Sequence, residues 1–203
     1  MPFSKDNNLF LNFSKALYSL TTEHREGNPE AIVEEWSFFP LSPCTGDILD
    51  ITGRTGANEN ITMAVSFSII APVTDNRYEH LFEKVGIPGG SNSFQVMAQK
   101  VHDLTFIVRM FVDFKRSFDA ENGIAQFYEK NVPQGDYEII ISGNAVEGEN
   151  DVRLDFLATQ TIKADNEGRF HRKYDTCTLP EGDFTVKIGN RKKVISLTEN
   201  KKE

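Results

Sequence analysis

The sequence predicts an all-β chain of two tandem antiparallel β-sandwiches preceded by a short helix. Three observations predict it. Apolar and polar residues alternate with a period of two in several segments, which marks strands with one buried face. Turn residues separate these segments at short intervals, as a sandwich requires. A set of landmarks recurs in the same order at an offset of about 90 residues, the mark of a unit used twice.

The landmarks define the units. Gly46-Asp47 returns as Gly135-Asp136, Gly53 as Gly143, and Glu59-Asn60 as Glu149-Asn150. Asp75-Asn76 returns as Asp165-Asn166, Pro88 and Gly90 as Pro180 and Gly182, and Phe94-x-Val96 as Phe184-x-Val186. Upstream, the strand-like stretch at 31–38 corresponds to that at 123–128, each followed by a Pro-containing turn. The expected organisation is a leader at 1–30, a first sandwich at 31–114, a second at 115–199 and a tail at 200–203.

Each element has a local reason. In the leader, Leu9, Phe13, Ala16, Leu17 and Leu20 fall at helical spacing, which predicts a short amphipathic helix ended by Gly27-Asn28-Pro29. Ile61, Met63, Val65, Phe67 and Ile69 form the buried face of a strand, and Val152, Leu154 and Phe156 do the same in the second unit. Phe106, Val108, Met110 and Val112 mark another strand, as do Phe184, Val186 and Ile188. The two Asp-Asn pairs read as one hairpin turn used twice, because both residues tolerate a left-handed backbone. Gly189-Asn190 reads as a tight hairpin joining the last two strands.

Composition narrows the function. The chain has 203 residues, 30 acidic and 22 basic, for a net charge of −8. That charge is spread as −5 over 31–114 and −3 over 115–199. Nucleic-acid binding needs clustered cations and docking to anionic lipid needs the same, so neither is expected. Lys115-Arg116 and Arg191-Lys192-Lys193 are read as guards of strand edges. No apolar run is long enough to insert into a membrane as a helix. The four histidines are scattered and no nucleophile-elbow, zincin or phosphate-loop motif is present. The expectation is a protein that is not an enzyme and uses no cofactor.

The second half carries Ile141-Ser142-Gly143, Val152-x-Leu154, the run Ala164-Asp165-Asn166-Glu167-Gly168-Arg169-Phe170, and Leu179-Pro180-Glu181-Gly182-Asp183-Phe184-Thr185-Val186. This pattern resembles bacterial and archaeal immunoglobulin-like repeats of large surface proteins. The run from Val112 to Gly135 into Asp136-Tyr137 is most similar to an extracellular domain of methanogenic archaea, in which paired sandwiches form part of cell-surface proteins. The resemblance covers the second unit well and the first less well, since Thr74-Asp75-Asn76-Arg77-Tyr78 lacks the glycine. It implies an extracellular or cell-surface location, with the chain a fragment lacking its signal peptide. The alternative is a cytoplasmic protein.

Candidate sites are few. Glu147, Glu149, Asp151 and Asp155 form an acidic stretch that could offer oxygen ligands to Ca²⁺. Trp36 and Tyr128 lie in corresponding strands and could stack on sugar rings if exposed and coplanar. Cys44 and Cys177 sit at non-corresponding places, which favours free thiols and leaves a bridge between units open. The leading expectation is a non-catalytic tandem module acting in adhesion, spacing or assembly, with a protein or cell-envelope partner. The alternative is a carbohydrate- or calcium-binding accessory module of a larger secreted protein. A stand-alone enzyme would need at least a His paired with a carboxylate, such as His80 with Glu83.

Overall fold

Two strands are long enough to serve two hydrophobic cores at once, and they organise the molecule. The computed structural model describes residues 30–109 and 113–200. The leader helix expected within 1–30 lies outside them, apart from Glu30. The described chain is all-β: β1 Glu35–Phe39, β2 Ile48–Arg54, β3 Asn60–Thr74, β4 Arg77–Ile87, β5 Asn92–Gln99, β6 Asp103–Arg109, β7 Phe114–Asp119, β8 Ile124–Lys130, β9 Gly135–Asn144, β10 Asp151–Lys163, β11 Arg169–Asp175, β12 Gly182–Ile188 and β13 Arg191–Leu197.

β3 and β10 run antiparallel from Asp151 opposite Pro72 to Lys163 opposite Asn60. Their inward residues enter different cores at the two ends. Ile61 and Met63 of β3 join Ile162 of β10 in one core, with Trp36, Ile51, Phe170 and Ile188. Ala71 of β3 joins Val152, Leu154 and Phe156 of β10 in the other, with Tyr78, Phe106, Phe127 and Ile141. One core is closed by β1, β2 and β11, a separate three-stranded sheet, and the other by β4, β9, β6 and β7.

The boundary expected at 114/115 is therefore not a boundary of the fold. Residues Ala31–Glu203 form one compact unit, and every core takes strands from both halves. β11 pairs with β2, β4 with β9, β5 with β10 and β12 with β3. The sequence could not reveal this exchange, because a period of two says which face of a strand is buried and not which strand lies beside it.

The exchanged ladders explain two of the recurring landmarks. β11 sets Phe170 opposite Gly53, and β4 sets Tyr78 opposite Gly143. A methyl group on Gly53 would lie 2.3 Å from the Phe170 ring, and one on Gly143 would lie 2.3 Å from the Asp103 carbonyl oxygen and 2.8 Å from the Tyr78 hydroxyl. Each glycine leaves room for an aromatic ring from the other half of the chain.

The turns resolve unequally. Asp75 and Asn76 both take positive φ, 52° and 59°, and join β3 to β4 as the expected hairpin. The second Asp-Asn is different. Gly168 takes the left-handed position there, at φ 78°, while Asp165 Oδ1 accepts from the amides of Glu167 and Arg169. This turn joins strands of two different sheets, so it is not a hairpin used twice. Those amide donors hold the Asp165 carboxyl below its ordinary pKa. Gly189-Asn190 does connect paired strands, with Ile188 opposite Arg191.

Candidate functional site

The inner face of the β3–β10 ribbon forms the floor of an apolar cavity of about 210 Å³ where the two cores meet. Four phenylalanines pave it. Phe67 and Phe156 face each other across the ladder and stack at 4.8 Å. Phe184 packs on Phe67 at 4.8 Å and Phe94 packs near Phe156 at 6.3 Å. Phe94 and Phe184 are corresponding landmarks of the two halves, so the exchange brings them to opposite ends of one floor. Phe82 and Val85 of β4 wall one side, and Leu49 of β2 with Tyr174 of β11 wall the other.

Few polar groups reach this space. Tyr174 donates its hydroxyl hydrogen to Gln160 Oε1 at 2.9 Å, and Gln160 Nε2 donates to the Gly89 carbonyl at 3.0 Å. Asn92 is fully engaged, donating to the Val132 carbonyl and accepting from the Val132 amide. Burial pushes the Tyr174 hydroxyl up to about 12. A group whose pKa is raised on folding stabilises the fold fully below its unfolded value, near 10, and loses that contribution as pH rises through the folded one. Alkaline titration at the phenolate absorbance is thus expected to show Tyr174 ionising near pH 12, with stability falling between about pH 10 and 12. Removal of this late step in Tyr174→Phe checks the assignment.

A second cavity of about 280 Å³ opens beside the core of Phe106, Phe127 and Ile139 and shares the walls Ile87, Phe94 and Val132 with the first. A third, shallow site lies on the outer face of the three-stranded sheet, between Phe39, Asp50 and His171. There His171 Nε2 is 2.7 Å from Asp50 Oδ1, and Lys173 Nζ is 3.8 Å from Asp50 Oδ2. His171 is a histidine–carboxylate neighbour that sequence reasoning missed, because it arises from the β2–β11 exchange. Its side chain is 55% exposed and that of Asp50 32%, so the pair is of small energetic weight, although Asp50 Oδ1 itself is covered from solvent. His80 packs edge-on against Phe82 at 4.6 Å, and burial lowers its pKa. The structure does not join it to Glu83.

The expected ligand groups are dispersed. Trp36 is 3% exposed, sits in a core, and has the Lys193 ammonium 4.5 Å above its ring; it cannot stack on a sugar. Tyr128 is 40% exposed on β8, whereas Trp36 lies on β1. β1 pairs with β2 and β8 with β5, so the corresponding strands enter different sheets and the two aromatics form no platform.

The acidic stretch does not converge either. Glu147 is exposed and Glu149 pairs with Lys100 at 2.9 Å. Asp151 starts β10, and Asp155 lies four residues further along it. Among the described residues, no group of three or more His, Cys, Asp or Glu side chains could hold a metal ion. Asp155 is instead a buried structural anion. It accepts from Ser68, from Gln99 Nε2 at 2.6 Å and from Arg153 Nε at 2.8 Å. Asp155→Ala is expected to cost about 2–3 kcal/mol in a denaturant titration, because three donors lose their acceptor.

Cys44 and Cys177 are free thiols, although Thr176 Oγ1 donates to the Cys44 carbonyl at 3.1 Å and so brings their loops together. Among the described residues no helix is long and apolar enough to cross a membrane. No family model, curated protein or solved structure matches the chain.

Proposed function

We propose that this chain is a non-catalytic, immunoglobulin-like double sandwich of an exported cell-surface protein, acting in spacing, adhesion or assembly. Its two halves are duplicates of one ancestral unit that exchanged strands. The observation that carries the reading is the continuous β3–β10 ladder. Tandem sandwiches joined by a linker can bend at it, whereas here the ladder itself spans both cores. Its thirteen residues on β10 extend roughly 40 Å at about 3.4 Å each. A spacer benefits from that stiffness. The distributed negative charge suits a surface kept in solvent. The partner is a protein or a cell-envelope component, and recognition falls to sheet faces and edges.

The test is protease shaving of intact cells, followed by fractionation and detection of this chain. Recovery in the envelope or released fraction supports the proposal. Protection in intact cells with recovery only in the cytosol overturns it.

A further inference from the structure

We infer that the cavity between the two cores is a binding site for a neutral aliphatic chain, an alcohol rather than a fatty acid. The inference stands apart from the surface reading and needs only the cavity. Its size sets the ligand's length. An apolar cavity of about 150 Å³ holds benzene, so the 210 Å³ here accommodates roughly eight carbons. Its chemistry sets the ligand's polarity. The floor is the phenylalanine quartet, and the walls are mostly aliphatic and aromatic, with Ser93, Thr159, Thr176 and Thr178 among the neutral polar residues at their margins. Asp175 is the one charged side chain among the described residues that line it.

A carboxylate entering this space would lose its hydration and find no cationic side chain among the described lining residues to pair with. A neutral hydroxyl avoids that cost. Tyr174 has committed its hydrogen to Gln160, which leaves its oxygen able to accept from a ligand hydroxyl. A largely apolar wall with one or two placed polar groups is the ordinary makeup of a small-molecule site. The strand exchange is what creates it, since the floor uses Phe67 and Phe94 from one half and Phe156 and Phe184 from the other.

The experiment uses the full chain with 1-octanol and octanoate as probes, followed by calorimetry and by NMR of the methyl groups. The expected result is saturable octanol binding, with intermolecular NOEs to the methyls of Leu49 and Met63, and at least tenfold weaker binding of octanoate. Ala158 lines the floor, and Ala158→Phe fills it; octanol affinity is expected to fall at least tenfold. Absence of octanol binding by the wild-type chain overturns the inference. So does equal affinity for octanoate, or binding whose NOEs go to methyls outside the cavity. If Ala158→Phe does not fold, the wild-type NOEs and the octanol-to-octanoate ratio decide alone.

Discussion

Replacing Gly143 with alanine is expected to destabilise the chain by about 3 kcal/mol, and Gly53→Ala by a similar amount. Neither effect comes from a left-handed backbone, since neither glycine has a positive φ. It comes from space. The new methyl at 143 would stand 2.3 Å from the Asp103 carbonyl oxygen and 2.8 Å from the Tyr78 hydroxyl. That hydroxyl donates to the same carbonyl at 2.9 Å, so the clash displaces a buried hydrogen bond along with the ring. Tyr78 is 1% exposed, and overpacking of a closed site typically costs 1–3 kcal/mol before any lost hydrogen bond is added. At 53 the methyl would meet Phe170 at 2.3 Å and the Glu35 carbonyl at 2.7 Å. Gly86→Ala serves as the control. Its methyl would find only Asp136 Oδ1, at 3.5 Å, and the loss of unfolded-state entropy should make the change neutral or slightly stabilising. Guanidinium midpoints compare the three. Equal losses at 86 and 143 would show that general strand-glycine effects, and not close approach, set the cost.

These glycines also show how much of the fold the sequence discloses. Gly53 and Gly143 each meet an aromatic ring across a ladder, Phe170 and Tyr78. The period-two runs located β3, β6, β10 and β12. What they left out was pairing. The alternation of Ile61, Met63, Val65 and Phe67 is equally satisfied beside a strand of its own half or of the other, since each offers a similar apolar face. Trp36 reads as a platform with Tyr128 because the two fall at corresponding places in the sequence, yet Trp36 is buried in a core and its strand joins a different sheet. Asp155 reads as a ligand when the acidic run is taken linearly, yet β10 places it on the face opposite Leu154 and Phe156, where Ser68, Gln99 and Arg153 enclose it. The cavity is invisible in the sequence because its floor takes Phe67 and Phe94 from one half and Phe156 and Phe184 from the other.

Phe156→Ala is expected to have an effect as large, about 3–5 kcal/mol, and to report on more than local packing. The side chain is 1% exposed, stacks on Phe67 at 4.8 Å and meets Phe82 edge-on at 5.4 Å. Truncation removes a large buried surface and leaves a void beside an existing cavity, which limits collapse. Two sandwiches linked only by a connecting segment would respond separately. The core of Phe156 would unfold at lower denaturant, and the core of Ile61, Phe170 and Ile188 would persist. The shared ladder forbids this. β10 carries Val152 and Leu154 into one core and Ile162 into the other, so melting either end removes a strand from both. The variant should unfold in one transition at a lower midpoint. Amide protection in β12 and β13, neither of which pairs with β10, should fall along with that in β5 and β9. Two resolved transitions, or undiminished protection in β12 and β13, would show that the cores fold independently in spite of the strands they exchange.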